Sequence, residues 1–311
     1  MQTECKHAWI LSGYSRLAIL VVVFFLGGCT LFQPYKNVTA YPPDSEPQWQ
    51  DINASAQICR IHLDYPPLNI HAVKVDLQAQ NVNVVVYPPA PSEAGEGITL
   101  SKKVSTFAKE NNCFVAVNAN PFAPSSAIEG ELRTIKGICV ADGIVVSPPD
   151  EHYAAVLLNI DGLKTAKLVY QSEIDTSTVP WTYQGNSFAN AVGGFFFALK
   201  DGEVYIDRPG RTAATERHPR TAIGVSKDGN TVILVVIDGR TSESVGATEE
   251  EVALWMRYFS AHDAITLDGG GSSAMAILLN GTINVENIPV NSTIPGVERA
   301  VATSIGFSQE E

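Results

Sequence analysis

The chain is 311 residues long, 45% hydrophobic and carries a formal net charge of −12. Those values describe a globular protein able to bury a substantial core. They exclude general nucleic-acid binding, which needs a basic face to neutralise phosphates. The six histidines are scattered and neither Cys-x-x-Cys nor His-x-x-x-His spacing occurs, so zinc catalysis has no support.

Taken in chain order, Lys6 and Arg16 precede the apolar run Leu17 to Leu26. That run has the length of a signal-peptide core and is too short for a comfortable membrane span. It ends in Leu26-Gly27-Gly28-Cys29, which resembles the lipobox of bacterial lipoproteins. The resemblance implies removal of residues 1–28, lipid on Cys29 and attachment to a membrane. Thr30 rather than Asp after the cysteine implies the periplasmic side of the outer membrane in a bacterial envelope. Residues 29–56 are polar and include Pro34, Pro42, Pro43 and Pro47, the composition of a tether. The folded domain is therefore expected over residues 57–311. Of Cys59, Cys113 and Cys139, at most one pair can form a disulfide, with Cys113 and Cys139 the candidate neighbours; buried free thiols are the other reading.

Short β-branched or apolar runs at Val82 to Tyr87, Cys113 to Val117, Ala154 to Leu158, Val232 to Ile237 and Ala264 to Leu267 predict strands. Asp142-Gly143, Asp201-Gly202, Asp228-Gly229 and Asn280-Gly281 predict type I′ hairpin turns. Leu100, Val104, Phe107 and Ala108 recur with helical spacing before Asn111-Asn112. Thr248-x-x-Glu251 is a capping-box signature ahead of Val252, Trp255, Met256 and Phe259. The fold class expected is α+β, a largely antiparallel or mixed β-sheet with many hairpins and at least two amphipathic helices.

Polar side chains gather at the ends of several of these runs. The most informative is Asp268-Gly269-Gly270-Gly271-Ser272-Ser273, where a strand enters three glycines and then resumes. Such a turn lets backbone approach a ligand and can point amide N–H groups at an anion. The other segments are Asn118-Ala119-Asn120-Pro121-Phe122, His218-Pro219-Arg220-Thr221, Asp238-Gly239-Arg240 and Glu298-Arg299. Each alone reads equally well as a surface turn.

The order of these segments resembles the phosphodiester glycosidase family: Asn118 to Phe122, Pro219 to Gly224, Asp238 to Arg240, Leu267 to Ser273 and Arg299 to Ala302 match its motifs in sequence. His71 to Leu77 also looks like the family's opening strand. Two departures stand out: Asn118 to Phe122 lacks the expected glycines, and Gly193-Gly194 continues into Phe195-Phe196-Phe197. The resemblance implies a hydrolase cleaving a sugar 1-phosphodiester in glycan or exopolysaccharide metabolism at the envelope. The alternative is a non-catalytic, lipid-anchored polysaccharide-binding or envelope-assembly protein.

For such a substrate, Arg220, Arg240 and Arg299 are the candidates for orienting phosphate, because the guanidinium fork matches its oxygens. Asp268 is the first choice for a carboxylate at C1, as base or nucleophile. Asp238 is the second carboxylate or a strut for an arginine. Thr221 joins these as a candidate at the reacting centre. Asn118, Asn120, Gly193, Gly194, Gly269, Gly270, Gly271, Ser272 and Ser273 complete the candidate substrate contacts. No cofactor is implied, although Asp268 with Asp238 could hold a hard cation such as calcium.

Overall fold

The strand Thr231–Ile237 reads Thr-Val-Ile-Leu-Val-Val-Ile and is buried on both faces, which requires protein above and below it. A computed structural model describes residues 35, 37–207 and 210–309. The expected signal segment and the Cys29 lipid site lie outside the described residues.

Three sheets surround one central core. The largest has eight strands, in the order Gln50–Asn53, Ala56–Asp64, Pro67–Asp76, Thr231–Ile237, Arg220–Val225, Asp263–Thr266, Phe197–Lys200 and Glu203–Val204. A five-stranded sheet runs Thr282–Val285, Met275–Leu279, Cys113–Asn118, Ser304–Gln309 and Val82–Tyr87. A third is built on Cys139–Ala141, Asn186–Gly193 and the hairpin Ala154–Ile160/Leu163–Tyr170. Neighbouring strands in these sheets pair antiparallel. Their inward residues, among them Val73, Val117, Val156, Ile223, Leu234, Ile265 and Met275, form one cluster. Removing such apolar surface from water is the main force holding the sheets together.

The largest sheet's opposite face is covered by the helix Glu249–Tyr258, where Trp255, Met256 and Phe259 pack on Ile70, Ala222 and Val235. Its capping box forms as the sequence predicts: the Glu251 N–H donates to Thr248 Oγ1 at 3.2 Å, and the Thr248 N–H to Glu251 Oε2 at 2.8 Å. The other helix, Val104–Glu110, begins later than its apolar spacing suggests. Leu100 belongs instead to the strand Ile98–Leu100 and is exposed. Glu298 caps this helix, accepting from the Ser105 N–H at 2.9 Å and the Ser105 hydroxyl at 2.5 Å.

Asp142-Gly143, Asp201-Gly202 and Asn280-Gly281 have paired positive φ angles, as type I′ turns require. Asp228-Gly229 differs. Only Gly229 is left-handed there, because the Asp228 carboxylate accepts the Ser226 hydroxyl at 2.5 Å and the Asn230 N–H at 3.1 Å, closing an Asx-type loop.

The compact unit begins at Val38, so much of the expected tether belongs to the fold. The Ala40 N–H donates to Glu251 Oε1 at 2.6 Å, Trp49 meets Phe259 edge-on at 5.6 Å, and Gln50–Asn53 adds an edge strand. Cys59, Cys113 and Cys139 are all free and buried. No disulfide forms among them.

Candidate functional site

Antiparallel topology brings the ends of Arg220–Val225, Thr231–Ile237 and Asp263–Thr266 to one end of the large sheet, beside the end of Cys113–Asn118. Asp268 sits where these meet. Its N–H donates to the Ala119 carbonyl at 2.9 Å, and its carbonyl accepts Asn118 Nδ2 at 2.6 Å. The Asn118 oxygen in turn accepts the Thr221 hydroxyl at 2.8 Å and the Ala274 N–H at 3.2 Å. Asn118 and Thr221 are both fully buried. They are the mount for Asp268, with their hydrogen-bonding groups used on protein.

The glycine run forms a 3₁₀ turn over Gly270–Ser272. An open anion nest is not what the backbone makes there. The Gly270, Ser272 and Ser273 amides donate to the carbonyls of Pro219, Gly269 and Gly270 at 2.8, 3.2 and 3.3 Å. The Gly269 amide serves the Asp268 carboxylate. What the glycines admit is arginine. A Cβ on Gly270 would lie 2.9 Å from Arg240 Nη2, and one on Gly271 would overlap the Arg299 guanidinium. Gly270 also has φ +62°, which a side chain would resist.

Arg299 is half-buried, with Nε on Asn291 Oδ1 at 3.1 Å and Nη1 on Ser272 Oγ at 3.2 Å. Both acceptors are neutral, so its charge is left for Asp268 and for a ligand. Arg240 is exposed and makes no hydrogen bond or ion pair among the described residues. Asp268 is half-buried. Its surroundings still desolvate the carboxyl enough to raise it from 3.8 to about 6, against the opposing pull of Ser272, Arg299 and the Gly269 amide. A carboxyl poised there can exchange a proton near neutral pH.

Arg220 does not join this group. Adjacent strand residues point to opposite faces, so Thr221 faces the central core and Arg220 faces the helix side. Its guanidinium donates to the carbonyls of Ala247 (2.9 Å), Ala213 (2.6 Å) and Glu216 (2.9 Å) and lies 3.7 Å from Glu249. That site is full. Asp238 is also committed: its oxygens face the Ile288 N–H (2.9 Å), Asn287 Nδ2 (3.1 Å) and His71 Nε2 (3.3 Å). With its lone pairs occupied, it is poorly placed to share a hard cation with Asp268.

Asn120 is likewise a structural hub. Its Nδ2 donates to the carbonyls of Lys136 (3.0 Å) and Ile138 (2.9 Å), and its oxygen accepts the Gly193 N–H at 3.1 Å. A Cβ on Gly193 would meet Asn120 at 2.7 Å, and one on Gly194 would meet the Thr266 carbonyl at 2.5 Å. These glycines make room for protein. Ser273 is fully buried at the end of the turn, and its carbonyl accepts Asn287 Nδ2 at 3.2 Å. The polar side chains from the predicted set that remain accessible are thus Asp268, Arg240 and Arg299.

A model of the phosphodiester glycosidase family matches residues 111–308. The chain belongs to that family. It is 28% identical over 223 residues to the SPbeta prophage-derived uncharacterized protein YomE of Bacillus subtilis (strain 168), a match covering 70% of this chain and 31% of that protein. It is 31% identical over 111 residues to N-acetylglucosamine-1-phosphodiester alpha-N-acetylglucosaminidase of Mus musculus, covering 32% of this chain and 21% of that one. The chain therefore spans less than a third of the length of either relative. Among solved structures, the zebrafish N-acetylglucosamine-1-phosphodiester alpha-N-acetylglucosaminidase catalytic domain, auto-inhibited by its pro-peptide, superposes with TM-score 0.57 at 23% identity, covering 88% of this chain and 87% of that one. A hypothetical protein from Synechocystis gives TM-score 0.59 at 14% identity over 86% of this chain and 64% of that one. Both likenesses are statements about fold.

Asn287 and Asn291, which support Ser273 and Arg299, carry no signal in the sequence. They lie in an ordinary polar segment and gain their roles only from what folds against them. His71, seen in the sequence only as part of a strand, touches Asp238.

Proposed function

We propose that this phosphodiester glycosidase family member hydrolyses a sugar 1-phosphodiester. The observation that carries the reading is the Asp268 carboxyl, raised to about 6 by its surroundings, beside the Arg299 guanidinium and with Arg240 against the neighbouring Gly270. Arg299 and Arg240 bind the phosphodiester oxygens. Asp268, as carboxylate, takes the proton from the water that attacks C1. The bond from C1 to the bridging oxygen breaks and the phosphate monoester leaves as a weakly basic anion, so it needs little protonation. A single free carboxylate is then sufficient, which fits Asp238 being held by its neighbours. Asn118 and Thr221 fix the Asp268 backbone, and Ser272 orients both Asp268 and Arg299.

The cell setting belongs to the same proposal: a lipid on Cys29 places the domain at a bacterial envelope, where glycan phosphodiesters are the substrates. Mass spectrometry of membrane-extracted protein should find an acylated Cys29 as the new N-terminus; an intact Met1 terminus on the membrane-extracted protein would remove that element.

The activity is tested with a panel of glycosyl phosphodiesters. Asp268→Asn should lower turnover at least roughly 10²-fold while circular dichroism stays native. Hydrolysis in ¹⁸O-water should label the sugar. Label in the phosphate would move the cleavage to P–O, and binding without turnover by the unaltered protein would favour a recognition role.

A further inference from the structure

An ionic chain lies beneath the same loop, and no step above uses it. Arg60 and His71 are cross-strand partners on Ala56–Asp64 and Pro67–Asp76. Arg60 grips both oxygens of Glu286, with Nη2 at 2.9 Å from Oε2. Glu286 Oε1 is 3.2 Å from His71 Nδ1, and the ring's Nε2 is 3.3 Å from Asp238 Oδ2. Asp238 Oδ1 holds Asn287 Nδ2 at 3.1 Å. The same Asn287 amide reaches the Ser273 carbonyl at 3.2 Å, and its oxygen accepts the Met275 N–H at 2.9 Å. A continuous path therefore runs from the exposed edge at Arg60 to the residues closing the glycine run.

Hydrogen-bond inventory fixes the state of the ring. A carboxylate only accepts, and a neutral imidazole has one N–H, so carboxylates at both nitrogens are satisfied only by the imidazolium. The charges facing the ring are Asp238 from the end of Thr231–Ile237, Glu286 from beyond Thr282–Val285, and Arg60 through Glu286. Burial opposes the charged ring, but Asp238 and Glu286 outweigh it and raise the pKa from 6.5 to about 9. Burial likewise opposes the Glu286 charge, and His71 with Arg60 outweigh it, bringing that carboxyl down to about 2. Without the ring's proton, two carboxylates would face each other across a largely buried gap.

We propose that His71 is a positioning residue for the Asp268 loop: as an imidazolium clamped between Glu286 and Asp238, it holds Asp238 under Asn287 and so sets the Ser273–Met275 segment. The functional part rests on the hydrolase reading above; the structural part does not. Because the folded ring binds its proton more tightly than the unfolded one, the clamp's contribution to stability is fully present below about pH 6.5 and is lost as pH rises through about 9.

The test is an NMR titration of the full chain, reading the His71 ring nitrogens and the Ser273, Ala274 and Met275 amides, alongside kinetics on a glycosyl phosphodiester. The ring should be doubly protonated at pH 7, and the three amides should shift with the ring's alkaline midpoint. In His71→Gln that shared transition should vanish, and kcat should fall roughly 10- to 100-fold with KM little changed, as for a misplaced reacting group. Adding Glu286→Gln should restore part of kcat by removing the stranded charge. A neutral ring at pH 7, or loop amides that ignore its titration, would overturn the proposal even if His71→Gln failed to fold. Turnover absent in a protein that shows the shared transition would sink the hydrolase reading and leave the clamp standing.

Discussion

The two faces of the strand Arg220–Val225 treat arginine differently. On the helix side, Arg220 is surrounded by three carbonyls and Glu249, so its charge and its donors are consumed within the fold. At the glycine turn, the Arg299 hydrogen bonds among the described residues go to the neutral Asn291 and Ser272, its charge faces Asp268, and Arg240 stands exposed. The same side chain is a structural rivet in one place and the proposed anion site in the other. What separates them is whether nearby acceptors already satisfy the guanidinium.

That contrast can be broken by substitution, beginning with the carboxylate that Arg299 faces. Asp268→Asn should cost at least roughly 10²-fold in turnover, yet raise the melting temperature at pH 7. The sign follows from a folded pKa of about 6 against 3.8: neutral Asp268 folds more favourably, so the stabilising effect of Asn should shrink as pH falls from 6 to below 4. Turnover of the unaltered protein should rise with pH through about 6 as the base form appears. A melting temperature lowered at pH 7 in Asp268→Asn would contradict the desolvated site.

Arg299→Met and Arg220→Met should then divide activity from stability. Loss of charge-assisted contacts to phosphate predicts a fall of roughly 10- to 100-fold in kcat/KM for Arg299→Met, with little change in urea midpoint. Arg220→Met should cost about 3 kcal/mol of stability by stranding the carbonyls of Ala247, Ala213 and Glu216, while folded molecules retain turnover. Equal behaviour of the two variants in both assays would erase the distinction.

The glycines sharpen it further. Gly271→Ala pushes against the movable end of Arg299, so activity should drop about tenfold with stability nearly intact, in keeping with a displaced reacting group. Gly194→Ala instead meets a backbone carbonyl, which cannot swing away, and should cost about 2 kcal/mol of stability. Arg240→Ala is expected to have the smallest effect, roughly threefold in kcat/KM and weakening further with added salt, because its charge is solvent-screened. A salt-independent loss would place Arg240 in closer contact with the phosphate than its exposure suggests.

Much of the scaffold was legible from residue order. The runs at Val82, Cys113, Ala154, Val232 and Ala264 became strands because β-branched apolar residues suit a buried pleat. Thr248 and Glu251 cap their helix because the capping bonds span only three residues. Leu100 has helical spacing with Val104 and Phe107 yet joins a strand, because its pairing with Leu132 on a neighbouring strand is invisible locally. The residues around Ala40 and Trp49 look like linker because prolines and polar side chains dominate them; Glu251 and Phe259, some 200 residues on, bind them down.

The candidate site divides the same way. The sequence alone determined the family, the Asp268 turn and the set of polar residues that gather near it, since those reside in short ordered motifs. Only the tertiary structure decided which of them stay accessible. Strand alternation shows that Arg220 and Thr221 oppose each other, but both faces of that strand are buried, so hydrophobic pattern cannot tell which faces the core. The glycines looked like amide donors, and packing turned them into room for Arg240 and Arg299. His71 and Glu286 lie 215 residues apart, and nothing local to either announces a partner. They meet because the end of Thr282–Val285 in one sheet abuts the middle of Pro67–Asp76 in another, and a buried imidazolium keeps its proton only where such convergence places counter-charges beside it.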